Sequence, residues 1–295
     1  MKTLVAVDWG TTSLRAARIA SDGAVLEERA TRRGILTVPA GGFPSVLQDT
    51  CGDWLADAAT LCLVSGMAGS RQGWREAPYC ACPAGFAEIA RSLCWITPGR
   101  IALVPGLSYE ARGVPDVMRG EEVQVFGALE LLQSREARIV LPGTHSKWVR
   151  VEDGRVQTFA TFMSGEFYAL LRQHSILART LPAQDGELHE EAFARGVRHA
   201  RESGSLLHAA FSARTLSLFE RLPEREMPSY LSGLVIGEEL RAAAPDAGEL
   251  VLVGNPSLTR RYALALQQLA CSSRSFGAEA TWHGLHALAR TLENA

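Results

Sequence analysis

One pattern occurs twice in this chain and limits its possible folds more than any other feature. Residues 5–23, VAVDWGTTSLRAARIASDG, read as a strand, a Gly-Thr-Thr-Ser turn, a second strand and an Asp-Gly hairpin. Residues 141–162, LPGTHSKWVRVEDGRVQTFATF, repeat that order with a Gly-Thr-His-Ser turn. Gly-Thr and Asp-Gly are common, so chance is the alternative, but two matched turns at nearly equal spacing predict an internal duplication.

The length of the chain agrees with a duplicated architecture. A chain of 295 residues is longer than one compact core usually holds, so two domains are expected. We place the boundary where the second copy begins, which gives domains 1–135 and 136–295.

The composition excludes several classes of partner. The net charge of −2 offers no broad basic field, so neither nucleic acid nor an anionic membrane surface is an expected partner. No apolar run approaches the length that spans a bilayer. Because the N-terminus leads almost directly into a predicted strand, we expect no signal peptide. The six cysteines are irregularly spaced and do not form a disulfide pattern, which favours a cytoplasmic protein.

Hydrophobic periodicity and turn residues predict alternating strands and helices. The predicted strands cover residues 3–8, 14–20, 24–31, 61–65, 101–105 and 250–253, and a further set begins at 138. The predicted helices cover residues 43–59, 86–94, 121–133, 166–173 and 230–243. We expect a long loop up to residue 118 and only helices after residue 253.

The two turns have the chemistry of phosphate-binding loops. Glycine allows close approach, successive backbone N–H groups point outward, and the hydroxyls add donors. We expect the two turns to face one polyphosphate across a cleft. The candidate phosphate ligands are Gly10, Thr11, Thr12, Ser13, Gly143, Thr144, His145, Ser146 and Lys147. No P-loop motif is present.

Two charged residues beside the turns are further candidates. Asp8 ends the first strand and suits Mg²⁺ bound through its water shell, although Asp also simply ends strands. Lys147 follows the second turn in a chain whose 30 basic residues are otherwise arginine except for Lys2. It is either a cation beside phosphate or the substrate carboxylate, or a surface strand residue.

Several segments, in order, resemble the 2-dehydro-3-deoxygalactonokinase family, a sugar-kinase branch of the actin-like ATPase superfamily. They include VAVDWGTTSLRAA, SGMAGSRQGWREAPY, VPDVMRGEEVQVFGAL, LPGTHSKWV and VGNPSLTRRYALAL. The resemblance implies an α/β fold of two related ribonuclease H-like domains with a cleft between them. Each domain would be a mixed five-stranded sheet flanked by helices.

The resemblance also implies an activity. It implies a monomeric or homodimeric enzyme that uses ATP and Mg²⁺ to phosphorylate the terminal hydroxyl of a 2-keto-3-deoxy sugar acid. One rival is a kinase of another sugar or sugar acid, such as 2-dehydro-3-deoxygluconate. The other is a nucleotide-driven binding protein of the same fold.

Within this resemblance, a carboxylate near the acceptor hydroxyl would serve as the general base. Our candidates are Glu121, then Glu122, then Asp8. The two glutamates also open a predicted helix, where acidic residues favour the helix dipole.

The remaining candidates concern the substrate and the nucleoside. Arginine binds carboxylates bidentately, so Arg71 is the first substrate candidate, followed by Arg15 and Arg119. Trp74 is a candidate wall of the sugar site, and Glu166 either contacts substrate or caps a helix. Gly254 and Asn255 are candidates for nucleotide contact, the alternative being an ordinary strand-to-helix turn with Ser257 as the N-cap.

Overall fold

The computed structural model describes residues 3–293, so Lys2 lies outside the described residues. The chain divides into two compact units. Unit 1 comprises Met1–Ile139, Val149–Ala160 and Phe276–Ala295, and unit 2 comprises Val140–Trp148 and Thr161–Ser275. The boundary at 135/136 remains a prediction, but this division assigns the last residues to the first unit.

Fourteen strands occur among residues 3–293. They are β1 Thr3–Trp9, β2 Leu14–Ala20, β3 Val25–Thr31, β4 Leu61–Gly66, β5 Tyr79–Ala81, β6 Cys94–Thr97, β7 Ile101–Leu103, β8 Gly106–Ala111, β9 Val114–Met118, β10 Ala137–Leu141, β11 Ser146–Glu152, β12 Arg155–Phe162, β13 Glu249–Val253 and β14 Ser272–Phe276.

Ten α-helices complete the described part of the chain. They are α1 Phe43–Cys51, α2 Phe86–Arg91, α3 Glu121–Leu132, α4 Ser164–His174, α5 Glu190–Ser203, α6 Leu206–Ala209, α7 Ser212–Leu218, α8 Met227–Ala243, α9 Pro256–Gln267 and α10 Glu279–Glu293. No helix in the described ranges combines the length and apolar character needed to cross a membrane.

The strand orders of the two main sheets confirm the duplication. The first sheet has the order β3-β2-β1-β4-β7-β6, and the second has the order β12-β11-β10-β13-β14. Five positions correspond, with β1 and β10 central, each followed by its own turn. The first sheet carries a sixth strand, so the expectation of five strands there was wrong. Its extra strand is β6, which pairs antiparallel with β7.

Four other expectations were wrong. The helix predicted over 86–94 ends at Arg91, and Cys94 already begins strand β6. The predicted loop before residue 118 is the hairpin β8–β9, whose Arg112-Gly113 turn takes positive φ at both positions. The helix predicted over 43–59 ends at Cys51, after which Asp53 forms an ion pair with Arg29 on β3. The polar strand β14 interrupts the predicted C-terminal helices, because its sequence SSRSF lacks an apolar pattern.

The core of unit 1 positions the first turn. β1 is buried along most of its length and pairs antiparallel with β2 and parallel with β4, which sets Asp8 opposite Arg15 on one side and Ser65 on the other. Helices α3 and α10 pack so closely that a Cβ on Gly127 would lie 1.7 Å from the Ala280 carbonyl oxygen. This contact explains why α10 belongs to unit 1.

Candidate active site

The first turn presents its hydroxyls outward. The Gly10 N–H donates to the Ser13 carbonyl (2.9 Å), which closes the turn. The N–H groups of Ile35 and Leu36 donate to the Gly10 and Thr11 carbonyls (3.1 and 3.2 Å). These carbonyl oxygens are therefore bonded to the neighbouring segment of the chain. Residues 11–13 are exposed, as a phosphate-binding turn requires.

The Asp8 carboxylate lies at the base of this turn. Its Oδ2 accepts bonds from the Arg15 Nη2 (2.5 Å) and Nε (3.2 Å). Its Oδ1 lies on the side of Gly66, whose added Cβ would be 3.4 Å from that oxygen and 2.8 Å from the Trp9 carbonyl oxygen. Gly66 has φ +91°, so both conformation and space require glycine beside the carboxylate.

The N-terminus of α3 packs against Gly66, next to the Asp8 carboxylate. Gly120 precedes the helix with φ +104°, and a Cβ there would lie 3.2 Å from the Gly66 Cα. Gly66 therefore adjoins Asp8 on one side and Gly120 on the other. This contact brings the two candidate glutamates, which open the helix, to the end of strands β1 and β4.

Glu122 is fully buried at this junction. Its Oε2 accepts the Gly120 N–H (2.6 Å), and its Oε1 is hydrogen-bonded to the Ser65 hydroxyl (3.3 Å), which can accept the proton of a neutral carboxyl. Burial, reinforced by the neighbouring Glu121 charge, raises the pKa of Glu122 to about 8. The carboxyl therefore holds its proton at neutral pH, which does not suit a general base.

Glu121 differs from its neighbour in exposure. It is half-buried, and its Oε2 accepts the Arg119 N–H (3.0 Å), so its carboxylate stays at the mouth of the helix N-terminus. Asp8 is held by Arg15. Of the three candidates for the base, Glu121 is neither fully buried like Glu122 nor held by an arginine side chain in the way that Arg15 holds Asp8.

The structure places the substrate-binding candidates in different surroundings. The Arg71 side chain is 86% exposed and has one long contact, 3.4 Å, to Glu76. Trp74 is half-buried and stacks on Phe43 within the core of unit 1. Arg15 is the partner of Asp8.

Arg119 is buried and unusual. Its Nη2 donates to the Ala77 carbonyl (2.8 Å), and its guanidinium lies 4.3 Å from the Tyr79 ring centroid. Its Nε and Nη1 are buried and have no hydrogen-bond partner among residues 3–293. A Cβ on Gly69 would lie 2.9 Å from Nη1, so glycine leaves the space beside these donors. Two buried donor nitrogens without a partner in the described part of the chain fit an anionic partner.

The second turn is held by the N-terminus of α4. The Glu166 N–H donates to the Thr144 carbonyl (3.1 Å), and the Glu166 Oε2 lies 2.6 Å from the His145 Nε2. A Cβ on Gly165 would lie 2.4 Å from the Gly143 carbonyl oxygen. His145 and Glu166, both predicted site residues, therefore pair with each other, and Thr144 remains exposed.

Two predicted ligands of the second turn are buried. The Ser146 side chain bonds to the Tyr262 hydroxyl (2.9 Å) and has no exposed surface, so it does not face outward as Ser13 does. The Lys147 Nζ donates to the Thr161 hydroxyl (2.8 Å), and the residue is only 5% exposed. Lys147 is therefore not a surface strand residue.

The segment after β13 adjoins the second turn. Gly254 has φ +150°, and a Cβ there would lie 3.4 Å from the Pro142 carbonyl oxygen. The Asn255 side chain accepts the Ser257 N–H (2.9 Å) and caps α9, so Asn255 and not Ser257 is the N-cap.

A cavity of about 240 Å³ lies within unit 2, beside these residues. Its walls combine small, apolar and polar side chains from α4, α8 and α9, together with Asp185. They are Gly143, Ser164, Gly165, Tyr168, Asp185, Ser232, Val235, Ile236, Ser257, Leu258, Arg261 and Tyr262. Sequence reasoning missed the α8 wall, although Ser232, Val235 and Ile236 follow helical i, i+3, i+4 spacing.

The described residues contain no group of three or more His, Cys, Asp or Glu side chains that could hold a metal ion. Mg²⁺ commonly binds through one or two carboxylates, water and substrate phosphates, and Asp8 with its Oδ1 beside Gly66 fits that pattern.

The strand orders and the paired turns define the class: this is an α/β protein with two compact units and two main sheets of corresponding strand order, flanked by helices. Solved structures that are only 12% identical, with TM-scores of 0.52 and 0.50, share the fold alone.

The chain belongs to the 2-keto-3-deoxy-galactonokinase family, whose profile matches residues 8–288. It is 39% identical to "Probable 2-dehydro-3-deoxygalactonokinase DgoK1" of Rhizobium meliloti (strain 1021), over 97% of this chain and 96% of that protein. It is 33% identical to the 2-dehydro-3-deoxygalactonokinase of Escherichia coli (strain K12), over 98% of each. A crystal structure from Sinorhizobium meliloti matches with TM-score 0.91 and 37% identity, over 99% of both chains.

Proposed function

We propose that this chain catalyses the ATP-dependent phosphorylation of 2-dehydro-3-deoxy-D-galactonate on its terminal hydroxyl, giving the 6-phosphate. The observation that carries the proposal is the extent of the family match, which runs from Asp8 through both turns and α9. A cytoplasmic location, a monomeric or homodimeric state and the sharing of one triphosphate by both turns remain predictions.

In this proposal, unit 1 performs the chemistry. Glu121 accepts the proton of the acceptor hydroxyl, because Glu122 is buried and protonated at neutral pH. The exposed turn at residues 10–13 donates hydrogen bonds to phosphate oxygens. Arg119 binds the substrate carboxylate through the two donors that lack a partner within the described part of the chain.

Asp8 would hold Mg²⁺, most simply through the ion's water shell. When bound, the ion would neutralise the charge that develops on the transferred phosphoryl group. Arg15 keeps the Asp8 carboxylate oriented by its two bonds to Oδ2.

Unit 2 would bind the nucleoside. The cavity adjoins Gly143 of the second turn and the first residues of α9, and its apolar residues Val235, Ile236 and Leu258 suit a flat base. Gly254 and Asn255 immediately precede α9, whose first residues line the cavity.

The test is a panel of acceptors with coupled detection of ADP, using the purified full chain. We expect ADP release with 2-dehydro-3-deoxygalactonate, and mass spectrometry should identify a phosphorylated product. Preference for the gluconate epimer or for glucose would contradict the substrate assignment. ATP hydrolysis that no sugar acid stimulates would contradict the kinase assignment and favour a nucleotide-driven binding protein.

A further inference from the structure

A chain of buried hydrogen bonds connects the second turn to the wall of the unit 2 cavity. The Ser146 hydroxyl lies 2.9 Å from the Tyr262 hydroxyl, which in turn donates to the Glu239 Oε2 (2.6 Å). The Trp148 indole N–H donates to the Glu239 Oε1 (2.7 Å). Ser146, Tyr262 and Glu239 are each at most 2% exposed.

The bonding pattern limits where each hydrogen can point. An indole N–H can only donate, and an ionised carboxylate can only accept. Since the single hydrogen of the Tyr262 hydroxyl goes to Glu239, the hydrogen of Ser146 is directed either to Tyr262 or to Glu239 itself. In either case the Ser146 hydrogen is used inside the buried network and is not available to a phosphate.

A buried carboxylate needs such partners. Burial raises the pKa of Glu239, while hydrogen bonds from Ser164, Tyr262 and Trp148 act in the opposite direction. Satisfied networks of this kind rigidify the elements that they join. Here the joined elements are β11, α8 and α9, because Glu239 lies one helical turn beyond Ile236 of the cavity wall and Tyr262 itself lines the cavity.

We propose that Glu239 is a positioning residue for nucleotide binding. Through Tyr262 and Ser146 it holds the second turn against the cavity wall and thereby sets nucleotide affinity without touching the nucleotide. This inference rests on the proposed function, in which the cavity takes the nucleoside of ATP.

The test compares two buried tyrosines of unit 2. Tyr262→Phe removes the hydroxyl from the network but keeps the ring. Tyr230→Phe is the matched control, since Tyr230 is also 2% exposed and its hydroxyl bonds to Ser212 (2.7 Å), away from the residues that line the cavity. Glu239→Gln is a second variant, because its one amide oxygen cannot accept both donors.

The measurements are the Kd for ADP by calorimetry, and kcat and KM for ATP. We expect Tyr262→Phe and Glu239→Gln to raise Kd and KM about five- to tenfold, with kcat within about twofold. Tyr230→Phe should leave the Kd within about twofold even if it loses as much stability.

The outcomes separate the two claims. Unchanged ADP affinity in Tyr262→Phe and Glu239→Gln, with a wild-type chain that binds ADP and phosphorylates the sugar acid, would overturn the positioning role alone. A wild-type chain that binds neither ADP nor ATP would overturn the proposed function, and with it this inference.

Discussion

The two turns are copies in sequence but differ in what surrounds them. In the first, residues 11–13 are exposed, and the preceding strand contains Asp8 paired with Arg15. In the second, Leu141 replaces that acid, and Ser146, the counterpart of Ser13, is buried against Tyr262. The first turn is exposed and lies beside the Asp8–Arg15 ion pair, whereas the second is linked through Tyr262 to the buried carboxylate of Glu239.

From this difference we propose that the two turns have different roles. An accessible carboxylate and exposed donors suit a site where charge develops during reaction. A rigid turn joined to a cavity wall suits tight positioning of a bound group. We therefore expect changes around the first turn to lower kcat, and changes around the second to raise KM for ATP.

The largest expected effect separates the two glutamates of unit 1. Glu121→Gln should lower kcat by about 10²- to 10⁴-fold, because it removes the proposed base. Glu122→Gln is the matched control and should stay within about fivefold, since Gln can keep bonds to both Gly120 and Ser65. Steady-state kinetics at saturating ATP would measure both, and equal turnover in the two variants would refute the assignment.

Glu122 should also make stability depend on pH. Its pKa is about 8 in the folded chain and near 4.5 when unfolded, so the folded state binds more protons between these values. The free energy of unfolding should fall as pH rises through that window and level off above pH 8. Glu122→Gln should remove this loss, which amounts to roughly 3–5 kcal/mol.

Urea unfolding of both proteins from pH 5 to pH 9 tests this expectation. The variant should be the more stable protein at pH 9, and the difference should shrink toward pH 5. A difference that does not change with pH would mean that Glu122 is not protonated in the folded state.

A smaller effect should identify the arginine that binds the substrate carboxylate. Arg119→Ala should raise KM for the sugar acid about 10- to 100-fold, by loss of a charge-assisted bond, with little change in KM for ATP. Arg71→Ala is the control, because that side chain is 86% exposed. If Arg71→Ala has the larger effect on the sugar acid, the carboxylate site lies in the loop after β4 instead.

The smallest effect concerns the packing of the second turn. Gly165→Ala would place a methyl group 2.4 Å from the Gly143 carbonyl oxygen, so α4 and the turn must separate. We expect a loss of about 1–3 kcal/mol in stability and a several-fold rise in KM for ATP. Gly186→Ala, at a glycine with open space around it, should change neither quantity.

Local patterns predicted the parts of this fold that depend on nearby residues. β2 was predicted at its observed bounds, and α3 begins at Glu121 as its two acids indicated. The hairpin β8–β9 was missed because Arg112 is an unusual residue at positive φ, and β14 because an edge strand can be polar.

The site was harder to predict, because its buried groups find partners far along the chain. Glu122 bonds to Ser65, and Glu239 bonds to Tyr262 and Trp148, across separations that no local motif records. The sequence could offer Ser146 as a phosphate ligand by analogy with Ser13. The sequence could not indicate that the Ser146 hydroxyl would form a hydrogen bond with Tyr262 of α9.

The division between the two turns is tested most directly by ATP-dependent kinetics of Asp8→Asn and Tyr262→Phe, measured side by side. Our account predicts that Asp8→Asn lowers kcat by about 10²-fold or more at nearly constant KM for ATP, whereas Tyr262→Phe raises KM and spares kcat. A loss of kcat in both variants, or a rise in KM for ATP in both, would contradict it.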